Sequence, residues 1–179
     1  MAERLAAWLA VVATAALAAQ LHQPGPQVLT FFSDADDSAQ PYALYLPKNF
    51  DPGRKWPLVI SLHGAASNHR LNLRRVLGRG NLPGETDAEA TRRWPPLPDV
   101  DFIVASPLSR GTMGYQGLAE KDIYDVLADV QRRFPVDEDR VYLTGLSMGG
   151  GGALRLALTR PDVWAAVAVV CPAVPPELE

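Results

Sequence analysis

The sequence predicts an α/β fold: one domain with a mostly parallel sheet and helices on both faces. Three observations support this. Short apolar runs of the buried-strand kind recur along the chain, at Leu58–Leu62 and in "FIVASP", "RVYLTG" and "WAAVAVVCP". Segments with helical spacing of apolar residues separate them, the alternation that builds a parallel sheet. The chain has 179 residues, 47% apolar and 21% charged, enough for one substantial core rather than two.

The first element is a leader. "MAERLAAWLAVVATAALAAQ" places Arg4 before an apolar run that begins at Leu5 and ends in small residues near Ala19, the form of a secretory signal. The run is shorter than a spanning helix needs, and "QLHQPGPQ" follows it. We therefore expect residues 1–19 to be a signal peptide, a secreted or periplasmic product without membrane association after cleavage, and a domain over residues 27–179. The formal charge of -3 offers no broad positive field, which argues against a nucleic-acid partner. Cys171 is the single cysteine, so no disulfide forms within the chain. It reads either as a small buried residue at a strand end or as half of a bridge to a cysteine beyond Glu179.

"VLTFFS" and "PYALYLP", separated by "DADDSAQ", predict two antiparallel strands. The turn "DPGRKWP" leads into the apolar run Leu58–Leu62, which stops at Gly64, as a buried parallel strand does. Asn68–Leu77 has helical spacing. From Gly78 to Asp99 the sequence is polar and rich in Gly and Pro, which reads as a lid, a binding loop or a surface excursion. After "FIVASP" comes the loop "LSRGTMGYQG", and then the clearest helix signal in the chain. Ile123, Val126, Leu127, Val130 and Phe134 share one face, with acids in the first turn and Arg132 and Arg133 in the last. "RVYLTG", "MGGGGALRLALTR" and "WAAVAVVCP" complete the alternation as strand, helix and strand.

Gly145-Leu146-Ser147-Met148-Gly149 matches G-x-S-x-G with a strand before it and a helix after it, the setting of a nucleophile elbow. A serine held in strained backbone at a strand end needs small neighbours two residues away, and Gly145 and Gly149 are such neighbours. The run Gly149–Gly152 weakens a helix by about 1 kcal/mol per glycine relative to alanine, so close helix-to-strand packing is expected in return. P-loop spacing and its Lys-Ser/Thr ending are absent, which disfavours a phosphate cradle. A second constellation, "SLHGAASN", ends another strand. The backbone N–H of Ala65 and that of Met148 are the candidate donors of an oxyanion hole, where loss of one donor costs roughly 3 kcal/mol of transition-state stabilisation. His63, Arg110 and Tyr115 are candidate residues of a substrate cleft.

In "WPLVISLHGAASN", "DFIVASPLSRG" and "DEDRVYLTGLSMGGGGALRLALTRPDVWAAVAVVCP", the chain resembles α/β-hydrolases of the secreted esterase group. That group includes polyhydroxybutyrate depolymerase-like, feruloyl esterase-like and prolyl oligopeptidase-like hydrolases. The resemblance implies an α/β-hydrolase fold, a carboxylic ester substrate or, in a prolyl oligopeptidase-like serine peptidase, a short peptide, and neither metal nor organic cofactor. It also implies a triad ordered Ser, then Asp or Glu, then His. His22, His63 and His69 all precede Ser147, so we expect a chain that holds the first two-thirds of the fold, without its last strands, triad acid and base. A non-catalytic fragment is the alternative. Asp162 lies one helix beyond Ser147, at the opposite sheet edge, and Glu177 and Glu179 lie in the terminal tail.

Overall fold

A computed structural model describes residues 23–173. The proposed leader, His22, Glu177 and Glu179 lie outside the described residues. Within them, no helix is long and apolar enough to cross a membrane.

Six strands form one sheet: β1 (Gly25–Ser33), β2 (Ser38–Leu46), β3 (Trp56–Leu62), β4 (Ile103–Pro107), β5 (Val136–Leu146) and β6 (Ala166–Val170). Their spatial order is β1-β2-β4-β3-β5-β6. β1 and β2 make an antiparallel hairpin, β2 runs antiparallel to β4, and the remaining pairs are parallel. Four helices complete the fold: α1 (His69–Val76), α2 (Asp87–Arg92), α3 (Leu118–Arg133) and α4 (Met148–Thr159).

Helices cover both faces because β2, like any strand, sends alternate side chains to opposite sides. Tyr42, Leu44 and Leu46 join Ile123, Val126 and Val130 of α3 and Ala153 and Leu156 of α4 in the main core. Ala43 and Tyr45 point the other way, onto Leu73 and Leu77 beneath α1. The strand order reverses at β3, which has β4 on one side and β5 on the other. In open α/β sheets, ligands bind at the carboxyl ends of strands beside such a reversal. Here the register pairs Leu62 of β3 with Gly145 of β5, and Leu146 of β5 with Val170 of β6. Three strand exits therefore converge at Ser147.

The stretch Gly78–Asp99 is anchored to the second core. Arg74, 1% exposed, donates from Nη2 to Glu85 Oε2 at 2.8 Å and to the Gly80 carbonyl at 2.9 Å. Thr86 and Glu89 form a reciprocal capping box that starts α2, a helix absent from the sequence expectation. Trp94 and Leu97 pack on the α1 side of the sheet. Local sequence concealed this because the anchor, Arg74, lies outside the stretch. β5 also begins earlier than its apolar run, since Val136 pairs with Trp56 across an irregularity in register.

Candidate active site

Ser147 is the N-cap of α4, with φ 56° and ψ −117°. A non-glycine residue there is strained by about 1–3 kcal/mol and persists only when its surroundings over-determine it. They do so here. The Ser147 N–H donates to the Val170 carbonyl at 3.0 Å, and the Ser147 carbonyl accepts from Gly151 N–H at 3.0 Å and Ala173 N–H at 2.9 Å. The end of β6 and the segment after it thus hold the bend from one side, and the first turn of α4 holds it from the other.

Gly145 and Gly149 make the bend sterically possible. A β-carbon on Gly145 would lie 2.1 Å from the Gly149 carbonyl oxygen, and one on Gly149 would lie 2.3 Å from that of Leu62. The compact first turn of α4 consequently sits directly on the exits of β5 and β3. Ser147 is exposed, and its hydroxyl has no hydrogen-bond partner among the described residues.

The turn after β3 reaches the same place. A β-carbon on Gly64 would be 3.5 Å from Ser147 Cβ and 3.3 Å from the Leu146 carbonyl oxygen. Ala65 follows, exposed. Its N–H and that of Met148, the first residue of α4, donate to no acceptor among the described residues. The two segments carrying these amides therefore meet at the serine, and free donors at a helix N-terminus suit a developing negative charge.

The three cleft candidates part company. His63 is fully buried, its Nδ1 2.8 Å from the Gly64 carbonyl oxygen and its Nε2 2.8 Å from that of Leu108, so it ties two loops together and reaches no open surface. The Arg110 guanidinium is turned away, onto Asp122 at 2.7 Å, Ser33 at 2.9 Å and Asp36. The Asp122 and Asp36 carboxylates hold it still more firmly protonated than an ordinary arginine. Tyr115 alone borders a cavity, of about 330 Å³, shared with Met113, Gln116, Met148, Gly152 and Arg155. Met148, Gly152 and Arg155 follow helical spacing and could have been found from Met148, whereas nothing in the sequence marked Met113 or Gln116.

Neither described histidine bonds to Ser147. His69 begins α1, half-buried, and burial with the nearby Arg70 and His63 lowers its pKa to about 4. Asp162 is exposed and paired with Arg160 at 3.3 Å. The 12 residues of α4 separate it from Ser147, a rise of about 18 Å.

A strained serine between strand and helix, glycines pressed against neighbouring strand exits and a second loop beside it make the strand–elbow–helix arrangement of an α/β-hydrolase fold. The Esterase family model matches residues 118–178, a segment containing α3, Ser147, α4 and β6. Solved structures agree with this fold. A thermostable esterase is similar with a TM-score of 0.61 at 23% identity, over 86% of this chain and 42% of that one. A ferulic acid esterase from Anaeromyces mucronatus, in complex with ferulic acid, gives 0.59 at 18% identity, over 84% and 58%. A fluorophosphonate-binding serine hydrolase from Staphylococcus aureus gives 0.59 at 22% identity, over 84% and 58%. The chain thus spans about half the length of these proteins.

Proposed function

We propose that this chain carries the nucleophile and oxyanion hole of a serine hydrolase acting on carboxylic esters, exported behind residues 1–19. The observation that supports it most is the backbone of Ser147, held in a costly conformation by β6 and α4 with its hydroxyl left exposed. Strain retained at an exposed polar residue is a mark of function. In the reaction, Ser147 Oγ attacks the acyl carbon, forming an acyl-enzyme and releasing the alcohol. The amides of Ala65 and Met148 receive the charge of the tetrahedral oxygen. A histidine oriented by a carboxylate, both supplied from outside the described residues, accepts the Ser147 proton and delivers it to the leaving alcohol. The same machinery would cleave short peptides, and a comparison of p-nitrophenyl esters with peptide anilides separates the two substrates.

The direct test is labelling by a fluorophosphonate probe. Labelling that disappears in Ser147→Ala is expected in protein that carries the histidine and carboxylate as well. No labelling under any condition would make the chain a non-catalytic α/β-hydrolase domain. N-terminal sequencing of exported protein checks the leader, with a mature start near residue 20 expected.

A further inference from the structure

The loop over residues 108–117, which leaves β4, is fixed at three points. Ser109, Arg110, Gly111, Gly114 and Gly117 all have positive φ, between 45° and 78°, so the loop is wound tightly on itself. Arg110 bolts it to α3 through Asp122 and to the β1–β2 hairpin through Asp36. The Leu108 carbonyl meets His63 Nε2. At the far end, the buried Tyr115 hydroxyl donates to the His63 carbonyl at 2.8 Å.

That carbonyl occupies a tight place. It is the atom that a β-carbon on Gly149 would approach to 2.7 Å, so α4 confines it on one side and Tyr115 holds it on the other. The Tyr115 ring lies against α4 where a β-carbon on Gly152 would be 2.4 Å from it, and meets the His63 ring edge-on at 5.9 Å. The peptide that carries the carbonyl leads into Gly64, whose backbone is permissive, and then into Ala65. The next peptide, which carries the Ala65 N–H, is held through its own carbonyl, Gly64 O, which lies 2.8 Å from His63 Nδ1 and accepts from Ser67 N–H at 3.3 Å, so a grip on His63 reaches that amide through both its main chain and its ring.

We propose that Tyr115 is a positioning residue: its hydroxyl holds the His63–Gly64 peptide and so sets the aim of the Ala65 amide beside Ser147. The loop over residues 108–117 then acts as a fixed brace for the turn after β3, and its packing on Gly152 locks that turn to α4. The hydroxyl touches neither the serine nor the place of a substrate acyl group; it works through the peptide it holds. Its consequence for catalysis rests on the hydrolase reading of Ser147, while the brace itself does not.

Tyr115→Phe tests both parts, since it removes the hydroxyl and keeps the ring. In 15N relaxation, Gly64, Ala65 and Ala66 should fall from the order of rigid backbone, about 0.85, toward the flexible range below about 0.6, while β3 and α4 stay rigid. In fluorophosphonate labelling, the first-order rate constant should fall about 10-fold with the affinity of the reversible complex unchanged, less than the roughly 100-fold that removal of a donor costs, because the Ala65 amide is loosened and not lost. Gly152→Ala, which keeps the hydroxyl and pushes on the ring, should give the same local pattern and decides the matter if Tyr115→Phe does not fold. The brace is overturned if Gly64–Ala66 stay as rigid as in the wild type, or if every element loosens alike. Should protein that carries the histidine and carboxylate remain unlabelled, the hydrolase reading fails and the relaxation result still decides the brace.

Discussion

His69 shows how one side chain acquires a role in stability that its sequence neighbours do not announce. At the first position of α1 it is half withdrawn from water, its Nδ1 has no partner among the described residues, and Arg70 and His63 add positive charge nearby. A proton there is disfavoured by lost hydration first and by those charges second, and the free amides of a helix N-terminus act in the same direction. The folded protein takes up this proton only near pH 4, against 6.5 for an ordinary histidine. Between these values the unfolded chain binds more protons, so the contribution is complete above pH 6.5 and declines as the pH falls toward 4. Paired carboxylates such as Asp87 and Asp99, lowered from 3.8, lose their contribution only in more acidic solution. We expect the thermal midpoint to fall across the upper window in the wild type and to be flatter there in His69→Gln, as read by circular dichroism against pH.

The decisive packing between elements is that of α4 on the ends of β3 and β5. A helix opening Met-Gly-Gly-Gly-Gly has poor intrinsic propensity, and it forms because the absence of side chains lets its backbone rest against the Leu62 and His63 carbonyls. Leu156 and Ala153, both fully buried, supply the apolar grip further along. The methyl group in Gly149→Ala would have to occupy space held by main chain, which cannot swing aside as a side chain can. We expect that substitution to destabilise by about 3 kcal/mol or more, by the overpacking mechanism. Gly80→Ala, where an added β-carbon meets nothing within 4 Å, should stay within about 0.5 kcal/mol of the wild type. Urea midpoints of the two variants provide the comparison.

Across the molecule, the sheet is covered unevenly. α3 and α4 cover one face, while α1 and the Gly78–Asp99 stretch cover the β2–β4 part of the other. On β6, residues 166, 168 and 170 are exposed, and among the described residues nothing pairs with the outer edge of that strand. Leu146, 43% exposed, and Val170, 45%, continue the bare surface toward Val76, 37%. An uncharged edge strand beside an apolar surface is a template for pairing with another chain. Sedimentation velocity is expected to show association that grows with protein concentration and weakens in Ala168→Lys, which sets a charge on this face. A concentration-independent monomer in the wild type would contradict it.

Much of this architecture was legible from residue order alone, because short-range chemistry fixes it. Short apolar and β-rich runs marked strands, the Ile123–Phe134 stripe marked α3, and glycines two residues either side of Ser147 marked a bend that no larger side chain would permit. Covalent spacing guarantees such neighbours, whatever the remainder of the chain does. Partners distant in sequence could not be read in this way. Arg110, in a loop that looked like the rim of a cleft, is drawn to Asp36 and Asp122 by charge across 74 and 12 residues. Tyr115 finds the His63 carbonyl 52 residues away. His63 itself, next to the right glycine, is closed off by Leu108 from another strand exit. Which side chains face the cleft and which brace it depends on where strands lie side by side, and that order follows from burying both faces of one sheet at once.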